Sequence, residues 1–153
     1  MFNKLFATKD DFSTTVLRLV LGVVMFAHGS QKVLGWFGGH GFAGTMHFFT
    51  DTMGIPYLLA LLAVLSESLG SVGLIVGLFT RISAFGIGVT IGVAALMVHV
   101  RNGFFMNWFG TQAGEGYEYH LLVVGMALAL IIAGGGHWSL DSLISNNIKR
   151  RQS

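Results

Sequence analysis

The 153 residues are 53% hydrophobic and only 10% charged, with a formal net charge of +2, which is too little polar surface for a water-soluble domain of this length. The lack of cysteine excludes disulfides, thiolate metal sites and thiol redox relays within the chain. Crossing about 30 Å of hydrocarbon takes runs of about 20 apolar residues, and the apolar residues here are clustered in such runs.

The first run covers about residues 14–32 (TTVLRLVLGVVMFAHGSQK). Arg18 within it, and no clean small-residue cleavage site before Trp36, favour an uncleaved signal anchor over a cleaved secretory signal. Gly22, Met25, Gly29 and Lys32 fall on one helical face, with His28 beside them. Residues 36–55 then hold a Gly-rich turn followed by Phe42, Met46, Phe49 and Met53 at steps of three and four. That spacing predicts a short amphipathic helix in the first outer loop, lying in the interface.

A second span is predicted over about 56–79, where Ser66, Gly70, Gly73 and Gly77 form a small-residue face edged by Glu67. A third, over about 82–100, aligns Gly88, Gly92, Ala95 and His99. The loop after it, Arg101 to Tyr117, carries Asn102, Phe104, Phe105, Trp108 and Phe109, an aromatic density that suits an interfacial belt or a lid. A fourth span runs from about 119 to 133, or to 136 if the glycines extend it, and lines up His120, Ala127 and Gly134. In the tail, 138–153, Trp138, Leu140, Leu143, Ile144 and Ile148 recur at roughly helical spacing, which suits either an inner-surface helix or a frayed terminus.

The expectation is one all-α domain over residues 1–153, a four-transmembrane-helix bundle with its glycine faces inward. Lys4, Lys9, Arg18, Arg81, Lys149, Arg150 and Arg151 stand against Lys32 and Arg101 on the other side, and that seven-to-two split puts both termini in the cytoplasm. The basic residues thereby answer to topology and anionic headgroups, and no nucleic-acid partner is expected.

This topology gathers His28, Lys32, His99, Arg101, Glu118 and His120 in the outer half, with Glu67 about midway through its span. A mid-membrane carboxylate has to be paired, protonated or functional. His28 and Lys32, one turn apart, serve one pocket. Glu118 and His120 are about 200° apart on a helix, so one of them points inward; His120 fits the small-residue stripe, while Glu118 could turn in, meet Arg101 or stabilise the helix N-terminus. No close His pair occurs and the candidate ligands come from four helices, so no metal is expected; proton transfer by Glu67 and the histidines is the easier chemistry.

HGSQK at His28–Lys32, GGHGFAGTMHFF after it, SESLG at Ser66–Gly70, GLFTR at Gly77–Arg81, NGFF at Asn102–Phe105 and GEGYEYHLL from Gly114 follow one another in order along nearly the whole chain. In these motifs the sequence resembles the DoxX family. The resemblance implies a small four-helix protein of the bacterial inner membrane, in a family whose members are often labelled oxidoreductases or quinone-reactive subunits. On that expectation His28, Lys32 and Glu67 are the candidate catalytic set, with Glu67 and His28 handling protons and Lys32 stabilising a developing anion. His99, Asn102, Glu118, His120, Phe42 and Phe105 are the candidate ligand contacts for a quinone-like or other amphipathic molecule. No haem, flavin or nucleotide fingerprint is present, so electrons are expected from a soluble or membrane redox partner, and the glycine faces permit a homo-oligomer. The alternative is a non-catalytic membrane scaffold or a small-solute carrier.

Overall fold

The computed structural model describes residues 5–8 and 11–152, apart from the side chains of residues 149, 151 and 152. Lys4 and Lys9, used above for orientation, lie outside the described residues, as do the side chains of Lys149 and Arg151. All regular elements among the described residues are helical, without a strand.

Helix α1 (Phe12–Leu34) starts where the Asp11 carboxylate accepts the Ser13 amide, and ends at Gly35 in the left-handed conformation. It runs two residues beyond the expected span at each end. A short α2 (Gly41–His47) follows and continues into a π-helical turn, Phe48–Thr52. Helix α3 (Tyr57–Val76) begins directly after Pro56, whose fixed φ suits a helix entry, and stops at Gly77. Helix α4 (Thr80–Ala94) continues through a π turn, Ala95–His99, and a final 3₁₀ turn, Val100–Asn102. Helix α5 (Glu118–Ala133) is followed by α6 (Leu140–Gln152).

Three of these helices, Phe12–Leu34, Tyr57–Val76 and Thr80–Asn102, are long and apolar enough to cross a membrane. The apolar α5 is shorter, 16 residues, which at 1.5 Å per residue reaches about 24 Å. Gly134 to Gly136 do not lengthen it: Gly134 takes φ 87° and ψ −156°, a conformation that ends the helix.

Helix α1 packs on α3, α3 on α4, α4 on α5, and α5 returns to α1, closing a ring. Leu21, Met25, Leu74, Ala84, Ile87, Val123, Ala127 and Leu130 fill its centre. The small-residue faces are where backbones approach, Gly22 against Leu74 and Ile75, Gly88 against Ala127. Leucine, valine, isoleucine and phenylalanine, among them Val23, Leu69, Phe85 and Leu122, stay exposed on the outside, as lipid requires in the absence of a hydrophobic drive between helices.

The tail is docked at the end of the bundle where α3 turns into α4. The buried Asp141 carboxylate accepts the amides of Phe79 (2.8 Å) and Thr80 (2.9 Å), and the Asp141 amide donates to the Gly77 carbonyl (2.9 Å). The start of α6 thus caps α4, which is incompatible with a frayed segment at this point. Asp141→Ala should lower stability by about 1–2 kcal/mol, as read by thermal unfolding in detergent, because two orphan amides lose their acceptor.

Candidate functional site

The polar groups of the opposite end begin with a close helix contact. A Cβ on Gly29 would lie 2.7 Å from the Glu67 carbonyl oxygen and 2.7 Å from the Ser68 Cα, so only glycine lets α1 approach α3 here. Lys32, one turn further along α1, then reaches across: its Nζ lies 2.5 Å from Glu67 Oε2. The carboxylate is buried, 4% exposed, while the lysine is 21% exposed. A buried carboxylate facing an ammonium satisfies the demand for a partner that Glu67 poses inside an apolar helix.

From this pair a series of four rings in contact, His28, Tyr119, His120 and His99, leads across the bundle. His28, half-buried, is within electrostatic range of both Lys32 and Glu67, and its ring lies 5.7 Å from that of Tyr119. Tyr119 packs at 5.4 Å from His120, nearly perpendicular, and its hydroxyl faces the Met25 sulfur at 3.6 Å. His120 is 6% exposed, and its ring centre lies 4.0 Å from that of His99. The Nδ1 of His120 is buried with no hydrogen-bond partner among the described residues. Leaving such an atom unpaired costs about 1–3 kcal/mol.

His99 is half-buried. Its Nδ1 is 2.9 Å from the Glu115 carbonyl, which can only accept, so that nitrogen carries the proton. The π turn at Ala95–His99 precedes it, and a π turn shifts the facing of later residues relative to a regular helix. Asn102 Nδ2 donates to the same Glu115 carbonyl at 3.0 Å.

Of the residues singled out from sequence, His28, Lys32, Glu67, His99 and His120 come together. Asn102 and Glu118 instead shape the loop over them. The Glu118 carboxylate accepts the Met106 amide at 2.9 Å, and its own amide donates to the Phe104 carbonyl. Arg101 donates to the Val98 carbonyl, and no Glu118–Arg101 ion pair forms among the described residues. Phe42 and Phe105 are exposed, 41% and 65%, and the ring of Phe105 packs edge-on against Phe104. Among the described residues no three His, Asp or Glu side chains are placed to hold a metal ion.

Sequence reasoning passed over Tyr119, although it lies between Glu118 and His120. The available signal was a phenol in the first turn of a mostly apolar helix, whose hydroxyl has to find a partner.

The DoxX family model matches residues 13–100, more than half of the sequence. The chain belongs to the DoxX family. The DoxX match takes in α1 from its second residue, α2, α3 and α4, and with them His28, Lys32, Glu67 and His99, while Tyr119 and His120 lie beyond it. Among relatives, the chain is 28% identical to "Putative oxidoreductase CatD" of Bacillus subtilis (strain 168), over 88% of this chain and 88% of that protein. It is 27% identical to "Inner membrane protein YqjF" of Escherichia coli (strain K12), over 89% of this chain and 95% of the other. An uncharacterized protein of Haemophilus influenzae is 33% identical over 82% of this chain and 86% of its own length. No solved structure matches. DoxX membership and the apolar helices make this a membrane protein.

Proposed function

We propose that the protein is a single-domain, four-span subunit of the bacterial inner membrane, with cytoplasmic termini, that binds a quinone-like ring at the outer end of its bundle in a redox-linked role. The observation that carries the reading is the convergence of four helices on one polar cluster in which the Lys32–Glu67 pair adjoins His28 and a series of ring contacts continues through Tyr119 and His120 to His99. Supporting it are the relative named as an oxidoreductase and the relative named as an inner-membrane protein. On this reading α5 crosses with the help of its flanking loops, the seven-to-two cation split sets the orientation, and the exposed aromatics Phe42 and Phe105 stand at the lipid side of the entrance.

A quinone ring takes up two protons with two electrons. His28 and Glu67 are the proton-handling groups, one half-buried and one buried. Lys32 matches the carboxylate charge and holds it facing the cluster. Electrons come from a partner, because the chain has neither cysteine nor a nucleotide-binding fingerprint.

A second reading, a scaffold without a ligand, draws on the same ion pair, since a buried Lys–Glu contact also ties α1 to α3. Native mass spectrometry with lipid extraction separates the two. The gently purified wild type is expected to carry a quinone that Glu67→Gln and His28→Ala, still folded, lose at least severalfold. Ligand-free wild type together with variants that fall apart would establish the scaffold instead.

A further inference from the structure

The hydrogen-bonding positions that remain open in the cluster are not those of an anion site. Its one lysine is already matched by Glu67 at 2.5 Å. His99 is held by the Glu115 carbonyl, and Asn102 by the same oxygen. Among the described residues, two of the open positions lie on adjacent residues of α5. Among the described residues, the Tyr119 hydroxyl donates to a thioether, a weak acceptor, at 3.6 Å. The Nδ1 of His120, on a side chain in a residue 6% exposed, has no partner among the described residues.

The two rings lie 5.4 Å apart and nearly perpendicular, with His28 against one and His99 against the other. We propose that Tyr119 and His120 are the head-group contacts for an uncharged ring bearing two oxygen substituents. The phenol donates to a carbonyl or hydroxyl oxygen of the ligand. His120 Nδ1 donates to a carbonyl or accepts from a hydroxyl, according to its tautomer, so one site serves the oxidised and reduced forms of such a ring. Inorganic oxyanions are selected against, because Glu67 sits on the one lysine that would bind them. The assignment rests on the quinone-type reading above, but requires binding alone and no turnover.

The test uses the full chain in nanodiscs, titrated calorimetrically with decylubiquinone and, separately, with sulfate. Wild type should bind the quinone and not sulfate, and Tyr119→Phe and His120→Phe should each weaken quinone binding about tenfold. In the absence of quinone, His120→Phe should keep or raise the thermal midpoint, because it removes an unpaired buried polar atom; a purely structural histidine would lower it. Quinone bound equally by wild type and both variants overturns this assignment and leaves the wider reading standing. No quinone binding by wild type overturns both, and sulfate binding that is lost in Lys32→Met overturns the preference for uncharged ligands. If Tyr119→Phe does not fold, a chain with Tyr57 and Tyr117 changed to phenylalanine retains Tyr119 as its one phenol. Its infrared C–O band should move on adding decylubiquinone, and an unmoved band overturns the proposal.

Discussion

Lys32→Met should destabilise the protein by about 3–5 kcal/mol in thermal or denaturant unfolding, because it strands the Glu67 carboxylate in the bundle without a counter-charge. Glu67→Gln should cost less. The ammonium it leaves behind belongs to the more exposed partner, 21% against 4%, and sits on a flexible stem that can reach water. Exchanging both residues for methionine should return stability to within about 1 kcal/mol of wild type, since a buried ion pair gains little over well-packed apolar groups of similar size. The double variant also divides the two functional readings. A folded double variant that no longer retains the co-purifying ring molecule is the outcome expected of a ligand site. Retention of that molecule by all three variants would remove the pair from the site.

Arg18→Met should be the most disruptive single change at the opposite end of the bundle, lowering the thermal midpoint by more than about 10 °C. Arg18 is 1% exposed, and its guanidinium donates to four carbonyls: Gly135 (2.9 Å), Leu74 (2.5 Å), Ile75 (2.6 Å) and Trp138 (3.3 Å). Leu74 and Ile75 are in the last turn of α3, where helical carbonyls have no partner within the helix. Methionine preserves much of the volume but removes the donor from these acceptors, of which the Leu74 carbonyl keeps the Gly77 amide at 3.2 Å, at about 1–3 kcal/mol for each that is left unpaired and that water does not reach. It also removes the cation within electrostatic range of Asp141, the residue that caps α4. Arg18→Lys should recover only part of the loss, since one ammonium cannot reproduce the planar fork that serves three segments at once. An unchanged midpoint in Arg18→Met would show that these carbonyls find other partners.

Arg18 also illustrates what a one-dimensional reading misses. Its charge was legible and was used for orientation, but hydrogen bonds from a side chain to distant carbonyls leave no pattern in sequence. The same holds for Asp141, whose partners at Phe79 and Thr80 are some sixty positions away and belong to the main chain. The tail therefore read equally well as a surface helix or a loose end, whereas its first turn is a cap on another helix. Glu67 was legible for the opposite reason: a carboxylate in the middle of an apolar run demands an explanation wherever the chain folds. Its pairing with Lys32, 35 residues away, depends on how closely Gly29 lets two helices approach. Phe42 and Phe105 were chosen for aromatic character, and periodicity alone could not tell a ring facing a polar cluster from one left exposed at the surface.

The sequence by itself determined that the chain is a helical membrane protein with most of its ionisable side chains sorted toward the helix ends, because apolar run length, glycine spacing and the cost of charge in hydrocarbon are local properties. Only the tertiary structure decided which of those side chains meet. It placed Tyr119 within electrostatic range of Glu67 and against His120, whose Nδ1 has no partner among the described residues, turned Glu118 and Asn102 to the loop, and gave Arg18 and Asp141 to the helix ends. Those outcomes follow from the distance and rotation between packed helices, set by contacts among residues far apart in the chain.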